Sequence, residues 1–509
     1  MATQITQIPT ETPGSPYTGT STYDELVPTN YWPILPVVVN RTDNLSAVFR
    51  LKYILRIYKD SVSDANLLAT LKQRTNNAST TTNQVAIFDI KGIVNTQIES
   101  TFTDSNQSIY EVHKLGRNTG VTDKIFGKNT NTVQTIILKA NIEYASTATA
   151  SPVEQTGAAD VVQITMYFTN ATFGLMTYAN ASDTNPLGDY TTSANTKLLL
   201  SNAPFIYDYR NLNQQPGGGG LLQGYINYVS RLSDFHTIGF QNKSGWGSDG
   251  DFLGLQYYNS DGGLIHTYTF PNTTTFGGRA PASAGGDGEY LLYAGCGTAN
   301  FETYTGQAHK DDAALATFDG KPSGTVVRDY AYYRIYMCND KNGTSQIRSK
   351  YYYFVRDFDT DYNCKDQEIV RLGWVNELGA WDYYDFRGGK VDTITTERSG
   401  YSSLLGSSSL DTGSTYSFET WGGGKKTLTT STTLKSTIQT QYIEQEEAEF
   451  LETMFNSTAV MMIQKGTFKI SQRVVITNKS FEKKTSAKNK LQIQYTFEIE
   501  HSNPINTNN

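Results

Sequence analysis

The feature that most constrains this chain is an alternation of apolar and polar side chains with a period of two residues. In the segment 491–500 every second residue is apolar, namely Leu491, Ile493, Tyr495, Phe497 and Ile499. The segments 48–58, 84–98, 132–144 and 161–168 repeat this pattern. Successive side chains of a β-strand point to opposite faces, so this period is typical of strands with one buried face. The sequence therefore predicts a mainly β protein.

One segment departs from this pattern. Between 441 and 455 the apolar residues fall on one helical stripe with glutamates opposite, and these residues are Ile443, Phe450, Leu451, Met454 and Phe455. The connections elsewhere are rich in Gly, Asn, Ser and Thr, which is typical of tight turns. We therefore predict a mainly β fold of several β-sandwich-like units, with one short C-terminal helix at 441–455.

The length of 509 residues is enough for about three domains at roughly 150 residues each. We predict an extended N-terminal arm at 1–28, a β domain at 29–195, a Gly/Tyr-rich middle β domain at 196–400 and a C-terminal β domain at 401–509. Prolines interrupt the arm, which is either a frayed terminus or a segment that lies on a neighbouring subunit. The stretch 400–433 is Gly/Ser/Thr-rich and low in charge, which indicates a linker or a long loop.

The charge and the terminal residues exclude several classes of protein. The net charge is −7 and 18% of the residues are charged, which argues against a general binder of nucleic-acid phosphates. The first 23 residues lack the basic and apolar regions of a signal peptide, and the chain contains no run of 18 apolar residues. The three cysteines form no CxxC pair. We therefore expect synthesis in the cytoplasm, with no membrane span.

The motifs that could carry catalysis are incomplete. Gly245–Gly250 fits G-x-G-x-x-G, but a strand pattern follows it where a dinucleotide site needs a helix, so it indicates a Gly-rich turn. Gly422–Thr427 lacks the first glycine of a phosphate-binding loop, and the five histidines lack zinc-site spacing. We therefore expect no enzyme and no cofactor. A pair of carboxylates that cleaves glycosidic bonds stays open, since the sequence offers many Asp and Glu residues.

A calcium site is the most concrete alternative. Asp357, Asp359, Asp361 and Glu368 occupy positions 1, 3, 5 and 12 of a calcium-binding loop. Position 6 is Tyr362, where that loop needs a glycine, and the preceding residues have a strand pattern instead of a helical one. This broken pattern favours a solvated acidic loop, with calcium binding as the alternative.

The 34 tyrosines suggest surfaces for partners. The strand segments 330–337 and 351–356 are especially rich in Tyr, a residue enriched at protein interfaces. These strands are therefore candidates for solvent-facing surfaces or subunit contacts. Aromatic residues between Trp246 and Tyr258 form a second candidate face, which could stack against sugars.

The segment 371–386 has the sequence RLGWVNELGAWDYYDF, in which a strand leads into Asn376, a turn follows at Gly379, and aromatic residues alternate in a second strand. It resembles a pattern in virion proteins of tailed bacteriophages, where a Cys-bearing loop precedes it as Cys364 does here. The segments 85–90 and 291–301 are similar to further elements of those proteins, as is the ending of the chain from 446 to 500.

This resemblance implies a structural component of a bacteriophage virion, such as a tail, baseplate or neck ring protein. Such a protein is made in the cytoplasm of the host bacterium, self-assembles into a symmetric homo-oligomer and docks other virion proteins. One alternative is a tail tip or fibre protein that binds a receptor or a glycan on the host surface. A less favoured alternative is a polysaccharide depolymerase.

Overall fold

The structure is a computed structural model, and the statements below concern only the residues that it describes. These residues are 3–9, 22–30, 32–41, 48–74, 84–99, 112–115, 124–128, 132–157, 160–171, 199–201, 228–230, 234–241, 252–259, 261–273, 278, 291–302, 330–338, 352–356, 369–403, 406–408, 416–418, 423–443, 445–463, 471–478 and 493–502.

The chain divides into two compact units. The first comprises Met1–Cys364 together with Val375–Asp382, and the second comprises Lys365–Trp374 together with Tyr383–Asn509. The chain therefore first changes unit after Cys364, whereas the composition of the sequence placed domain boundaries after residues 195 and 400.

The described residues in the first part of the first unit form ten strands, and all of them except the strand Phe126–Lys128 belong to two sheets. The strands are β1 (Thr3–Gln7), β2 (Thr22–Pro28), β3 (Pro36–Arg41), β4 (Phe49–Lys59), β5 (Leu67–Arg74), β6 (Gln84–Asp89), β7 (Phe126–Lys128), β8 (Val133–Ala145), β9 (Val153–Glu154) and β10 (Val162–Thr169). One sheet has the order β1-β3-β6, and the other has the order β2-β10-β8-β4-β5 with β9 paired to β8. Helix α1 (Lys91–Asn95) and two 3-10 turns, Asp64–Asn66 and Val112–Lys114, lie between strands.

These two sheets share one hydrophobic core, in the manner of a β-sandwich. The alternation in β4 places Tyr53, Leu55 and Ile57 in this core at 0% exposure, where Val37 and Val39 of β3 also lie. The polar positions of β4 lie on the other face, as period-two alternation requires. The predicted fold class, mainly β with sandwich-like units, is therefore confirmed.

The described parts of the predicted N-terminal arm are strands of the chain's own sheets. β1 pairs antiparallel with β3, and β2 pairs parallel with β10. Ile5 and Ile8 are buried in the sandwich core. Burial of these apolar side chains, together with the backbone hydrogen bonds, fixes this segment. Residues 3–9 and 22–28 therefore neither fray nor lie on a neighbouring subunit.

The rest of the first unit contains eight strands and a short helix α2 (Thr298–Glu302). The strands are β11 (Leu199–Leu200), β12 (Tyr228–Ser230), β13 (Thr237–Gln241), β14 (Phe252–Tyr258), β15 (Leu264–Pro271), β16 (Leu291–Gly295), β17 (Tyr332–Cys338) and β18 (Tyr352–Arg356). They form two sheets, with the orders β11-β13-β16-β7 and β12-β18-β17-β14-β15. Because β7 pairs with β16, the first of these sheets joins residues from both sides of the predicted boundary at 195.

The remaining elements follow residue 369. They are β19 (Val370–Val375), β20 (Trp381–Phe386), β21 (Lys390–Ser403), β22 (Gly406–Ser408), β23 (Tyr416–Phe418), β24 (Gly424–Gln439), α3 (Gln445–Phe455), β25 (Val460–Met462), β26 (Gln472–Ile476) and β27 (Thr496–His501). Seven strands form one sheet with the order β20-β19-β25-β26-β27-β24-β21, and β22 pairs with β23. The stretch 400–433, predicted as a linker or loop, thus contains parts of β21 and β24.

Helix α3 packs on the seven-stranded sheet of the second unit. The ring of Phe450 lies 5.0 Å from that of Trp374, and Phe455 contacts Tyr495 and Phe497 edge to face. The predicted C-terminal helix is confirmed, but it begins at Gln445 instead of 441. Ile443, which the helical stripe included, instead forms a β-bridge with Ile493.

We expect Leu451→Ala to destabilise the second unit by about 2–5 kcal/mol, because a fully buried leucine leaves a cavity when it is truncated. Urea denaturation of the full chain, followed by tryptophan fluorescence, measures this change in the free energy of unfolding. Glu449→Ala is the matched control, since Glu449 is exposed on the same helix and should change stability by less than about 0.5 kcal/mol. Equal effects of the two substitutions would contradict the packing of α3.

Candidate functional site

The predicted calcium ligands Asp357, Asp359, Asp361 and Glu368 lie outside the described residues. Within the described part of the chain, no group of three or more His, Cys, Asp or Glu side chains is placed to hold a metal ion. Calcium binding therefore stays a prediction.

None of the described helices has both the length and the apolar character needed to cross a membrane.

The tyrosine-rich strands form part of the interior. Tyr257, Tyr330 and Tyr333 are 0% exposed, and the ring of Tyr257 lies 5.2 Å from each of the other two. Burial raises the pKa of Tyr257 well above its ordinary value. The expectation that the segment 330–337 presents solvent-facing surface or subunit contacts is therefore wrong for Tyr330 and Tyr333. Their rings stabilise the core through edge-to-face and tilted packing.

Of the aromatic face predicted between Trp246 and Tyr258, the structure describes residues 252–258. Trp246 lies outside the described residues, and Tyr257 points into the core. Tyr258 is half-buried, and its ring stacks on Tyr332 at 4.8 Å. The guanidinium of Arg334 lies 5.3 Å from the centre of the Tyr258 ring. The rings of Tyr257 and Tyr258 therefore make contacts within the chain, and stacking of this segment against sugars stays a prediction.

The turn of the 371–386 motif is held by buried polar contacts within the first unit. Oδ1 of Asn376 accepts hydrogen bonds from the backbone N–H groups of Leu378 and Ala380, both at 3.0 Å. Its amide nitrogen donates to Asp382 at 3.0 Å, and Asp382 also accepts a hydrogen bond from Ser201. The Asn376 side chain therefore closes the turn that its position before Gly379 predicts.

The parts of the same motif on either side of this turn, 371–374 and 383–386, belong to the second unit and are also largely buried. The Arg371 guanidinium donates to Asp385 at 2.9 Å, and both side chains are only 5% exposed. The same guanidinium lies 5.3 Å from the centre of the Tyr383 ring. Trp374 is 0% exposed and donates from its indole nitrogen to Thr453 at 3.0 Å. The motif therefore organises the fold and does not form an exposed contact surface.

We expect Asn376→Ala to lower the free energy of unfolding by about 2 kcal/mol or more, because it leaves two buried N–H groups without an acceptor. Thermal and urea unfolding of the full chain measure the loss. Asn66→Ala is the control, since its amide bonds Ser61 in an exposed turn and should have a small effect. A loss at Asn376 no larger than that at Asn66 would contradict the role of the turn.

The exposed element of the second unit is a two-stranded ribbon, defined as β21 and β24. These strands pair antiparallel from Lys390 opposite Ile438 to Ser403 opposite Gly424, with one register shift between Ser399 and Gly400. Every residue from 391 to 402 is exposed, as is every residue from 425 to 431. At about 3.4 Å per residue, β21 extends over roughly 45 Å.

The ribbon exposes apolar side chains and one strand edge. Leu428 is 67% exposed, Val391 64%, Ile394 62% and Tyr401 46%. β21 is the last strand in the order of its sheet, so its outer edge pairs with no strand among the described residues. An exposed edge strand is a template for pairing with another chain, and an isolated two-stranded ribbon is only marginally stable in water. The ribbon is therefore the candidate functional site.

The interpretation of the stretch 400–433 as a linker or a long loop did not predict this ribbon, to which both ends of the stretch belong. Low charge and many Gly and Ser residues indicated a loop, yet the run from Thr427 to Leu434 is rich in β-branched Thr. A run rich in β-branched residues is typical of strands, and this feature of the sequence could have indicated β24. Strands elsewhere were predicted from alternating apolar and polar residues. Thr and Ser have similar polarity, so this run shows little such alternation.

Four side chains from four adjacent strands meet where the ribbon joins its sheet, and we call them the basal clasp. Ser436 on β24 donates to Asp392 on β21 at 2.5 Å, and its Oγ lies 2.9 Å from Nε2 of His501 on β27. Nδ1 of His501 lies 3.1 Å from Oε1 of Gln472 on β26. Lys390 forms an ion pair with Asp392 at 3.0 Å. The basal clasp therefore ties the ribbon to two further strands of the sheet.

The basal clasp has the residue types of a hydrolytic triad but not its arrangement. In such a triad the serine gives its proton to the imidazole, and the carboxylate holds the other ring nitrogen. Here the hydroxyl of Ser436 donates to the carboxylate of Asp392, and Ser436 is 0% exposed. The geometry fits a structural role for these side chains at the base of the ribbon.

The basal clasp makes stability depend on pH. Burial lowers the pKa of His501 from its ordinary value of 6.5, Lys390 acts in the same direction, and Asp392 opposes both. As the pH falls through 6.5, the unfolded chain therefore binds the proton before the folded chain does, and the free energy of unfolding decreases.

We expect this decrease to be smaller in the His501→Gln variant, which lacks the titrating group. Urea denaturation of the full chain between about pH 7.5 and about pH 5.5 measures the difference, above the range where most carboxylates titrate. The same pH dependence in both proteins would contradict the lowered pKa of His501.

Comparisons with known proteins show no family for this chain. No protein-family model matches the chain, and no curated protein is similar to it. The crystal structure of a mutant Salmonella alpha-2-macroglobulin aligns with 89% of this chain at 8% sequence identity, with a TM-score of 0.14. The chain spans about 27% of that protein's length, and a TM-score this low carries no information about fold or function.

Proposed function

We propose that this chain is a structural component of a bacteriophage virion, a tail, baseplate or neck ring protein that self-assembles and docks neighbouring virion proteins. The observation that carries the proposal is the ribbon, whose outer strand is exposed over twelve consecutive residues, 391–402. The resemblance of 371–386 to virion proteins is the reason for proposing a bacteriophage virion as the assembly. In this proposal the chain has no catalytic role, and it acts in the virion after synthesis in the host cytoplasm.

The energetics of the ribbon support an assembly role. Full burial of a Val, Leu or Ile side chain contributes about 1.5–3 kcal/mol. Val391, Ile394 and Leu428 are about two-thirds exposed, so docking of the ribbon would recover roughly 3–6 kcal/mol from these three side chains. Pairing along the edge of β21 would add backbone hydrogen bonds. The ribbon would therefore gain stabilising free energy on binding a partner.

The composition of the ribbon also suits an interface. Strand β21 carries four charged residues among fourteen, and the remainder are chiefly Thr, Ser and Gly with a few apolar residues. Charged residues that lie opposite complementary charges of a partner fix the register and specificity of an interface. Threonine adds β propensity without making the ribbon insoluble. The partners in this proposal are other virion proteins and further copies of the chain.

The proposal is tested by mass spectrometry of purified phage particles, in which we expect the chain to be present at a fixed stoichiometry. A complementation strain then supplies the double variant Ile394→Asp/Leu428→Asp in place of the wild-type chain. We expect its incorporation into particles to fall at least about tenfold, because two charges would have to be buried at the interface.

Val153→Asp is the matched control, since Val153 is an exposed strand residue of the first unit at 63% exposure. Circular dichroism of each purified variant checks that the chain still folds. Absence of the wild-type chain from purified particles would overturn the proposed function. Unchanged incorporation of the folded double variant would remove the ribbon as its docking element.

A further inference from the structure

We infer that the free edge of β21 pairs antiparallel with β21 of a second copy of this chain, about a two-fold axis through Thr395. The inference rests on the proposed function, because it names the partner of the same ribbon. It follows from the charge pattern along β21 and from the faces on which its side chains lie.

The register within the ribbon assigns the side chains of β21 to two faces. Asp392 lies opposite the buried Ser436, and Ile394 lies opposite Leu434. Since alternate residues share a face, Thr396 and Arg398 lie on that same face. Thr393 and Thr395 lie on the other face.

Four charged residues occupy the regular part of β21, namely Lys390, Asp392, Glu397 and Arg398. If Thr395 pairs with Thr395 of the second copy, then Asp392 of each copy lies directly opposite Arg398 of the other. Residues directly opposite on adjacent strands have Cβ atoms about 4.5–5.5 Å apart, which places the carboxylate and the guanidinium within reach. The two-fold axis therefore generates two equivalent ion pairs. In each pair, Arg398 of one copy joins Ser436 and Lys390 of the other at its Asp392 carboxylate, a side chain that is 44% exposed.

The two registers shifted toward the start of β21 are electrostatically unfavourable, and the corresponding shifts toward its end lose both ion pairs. A shift by one residue toward the start of β21 places Asp392 opposite Glu397, and a shift by two places Lys390 opposite Arg398. Parallel pairing in register would place each charged residue opposite itself. Like charges directly opposite on adjacent strands are destabilising. The charge pattern thus selects the antiparallel register centred on Thr395 over these alternatives.

The apolar and backbone groups are consistent with this register. The face that carries the ion pairs also carries Ile394, so the two copies of Ile394 become diagonal neighbours across the new pair of strands. The paired segment runs from Val391 to Ser399 and ends where the register shift of the ribbon begins. The second copy therefore meets a regular strand edge, and each seven-stranded sheet continues into that of the partner.

Cysteine cross-linking of the full chain tests the register. In antiparallel pairs the Cα atoms of opposite residues lie about 4.5–5.5 Å apart, within the range that a disulfide spans. We therefore expect Thr395→Cys to form a covalent dimer with an added thiol oxidant such as diamide. Thr393→Cys is the matched control, because its two copies lie four residues apart, at about 14 Å. The wild-type chain measures the background from its own cysteines, of which Cys296 and Cys338 are buried.

Charge reversal provides a second measurement, by analytical ultracentrifugation. We expect Arg398→Asp and Asp392→Arg each to weaken the dimer at least about tenfold, because each places like charges opposite one another. An equimolar mixture of these two variants restores both ion pairs and should form a heterodimer. Lys425→Glu is the control, since Lys425 lies on β24, away from the free edge. Thermal melts verify that each variant is folded.

The outcomes separate this inference from the proposed function. A wild-type chain that stays monomeric at all concentrations, or that cross-links equally at positions 393 and 395, overturns the pairing of β21. The proposed function still stands in that case if the chain is present in purified particles. Conversely, a dimer of the expected register in a chain that is absent from particles keeps the inference and removes the proposed function.

Discussion

The backbone hydrogen bond along strand edges is the interaction on which this structure depends. Each strand exposes donors and acceptors on two sides, and a sheet satisfies all of them except those at its two outer strands. In the seven-stranded sheet, short strands such as β25 and β26 lie inside, whereas one of the two longest strands, β21, lies at an edge. The unmet hydrogen-bonding capacity of that sheet is therefore concentrated in the ribbon.

In the interior, several polar groups are buried together with partners. Arg371 and Asp385 are buried together, and Asn376 binds two backbone N–H groups. The rings of the tyrosines in β14 and β17 contact one another. Such groups would be destabilising if they were left alone in the core. They give the two units defined interiors, and a rigid interior allows an exposed ribbon to hold its geometry.

Much of the fold could be predicted from the sequence. The alternation in β4 and β27 predicted strands with one buried face, and the apolar stripe around Leu451 predicted the helix. In these segments local periodicity and tertiary packing agree. The helix begins later in the chain than predicted, because the backbone of Ile443 forms a β-bridge with Ile493 instead of helical hydrogen bonds. Local periodicity does not indicate this contact.

The candidate site was harder to predict, for two physical reasons. Alternation shows which face of a strand is buried, but not whether the strand lies at an edge, because edge position depends on chain topology. The tyrosine-rich strands show the same limit, since a phenol ring suits an interface and a core equally well. The basal clasp joins Asp392 to His501 across more than a hundred residues, so no local pattern could indicate it.

The position of β27 has a consequence for the timing of assembly during translation. This strand comes last among the described elements, yet it lies between β26 and β24 in the sheet. Until residues 496–501 leave the ribosome, β24 and β21 have no connection through the sheet to β26, β25 and β19. A nascent chain can therefore build its first unit while its ribbon is still unanchored. The order of the strands thus delays a firmly held exposed edge until the last of the described strands has been synthesised.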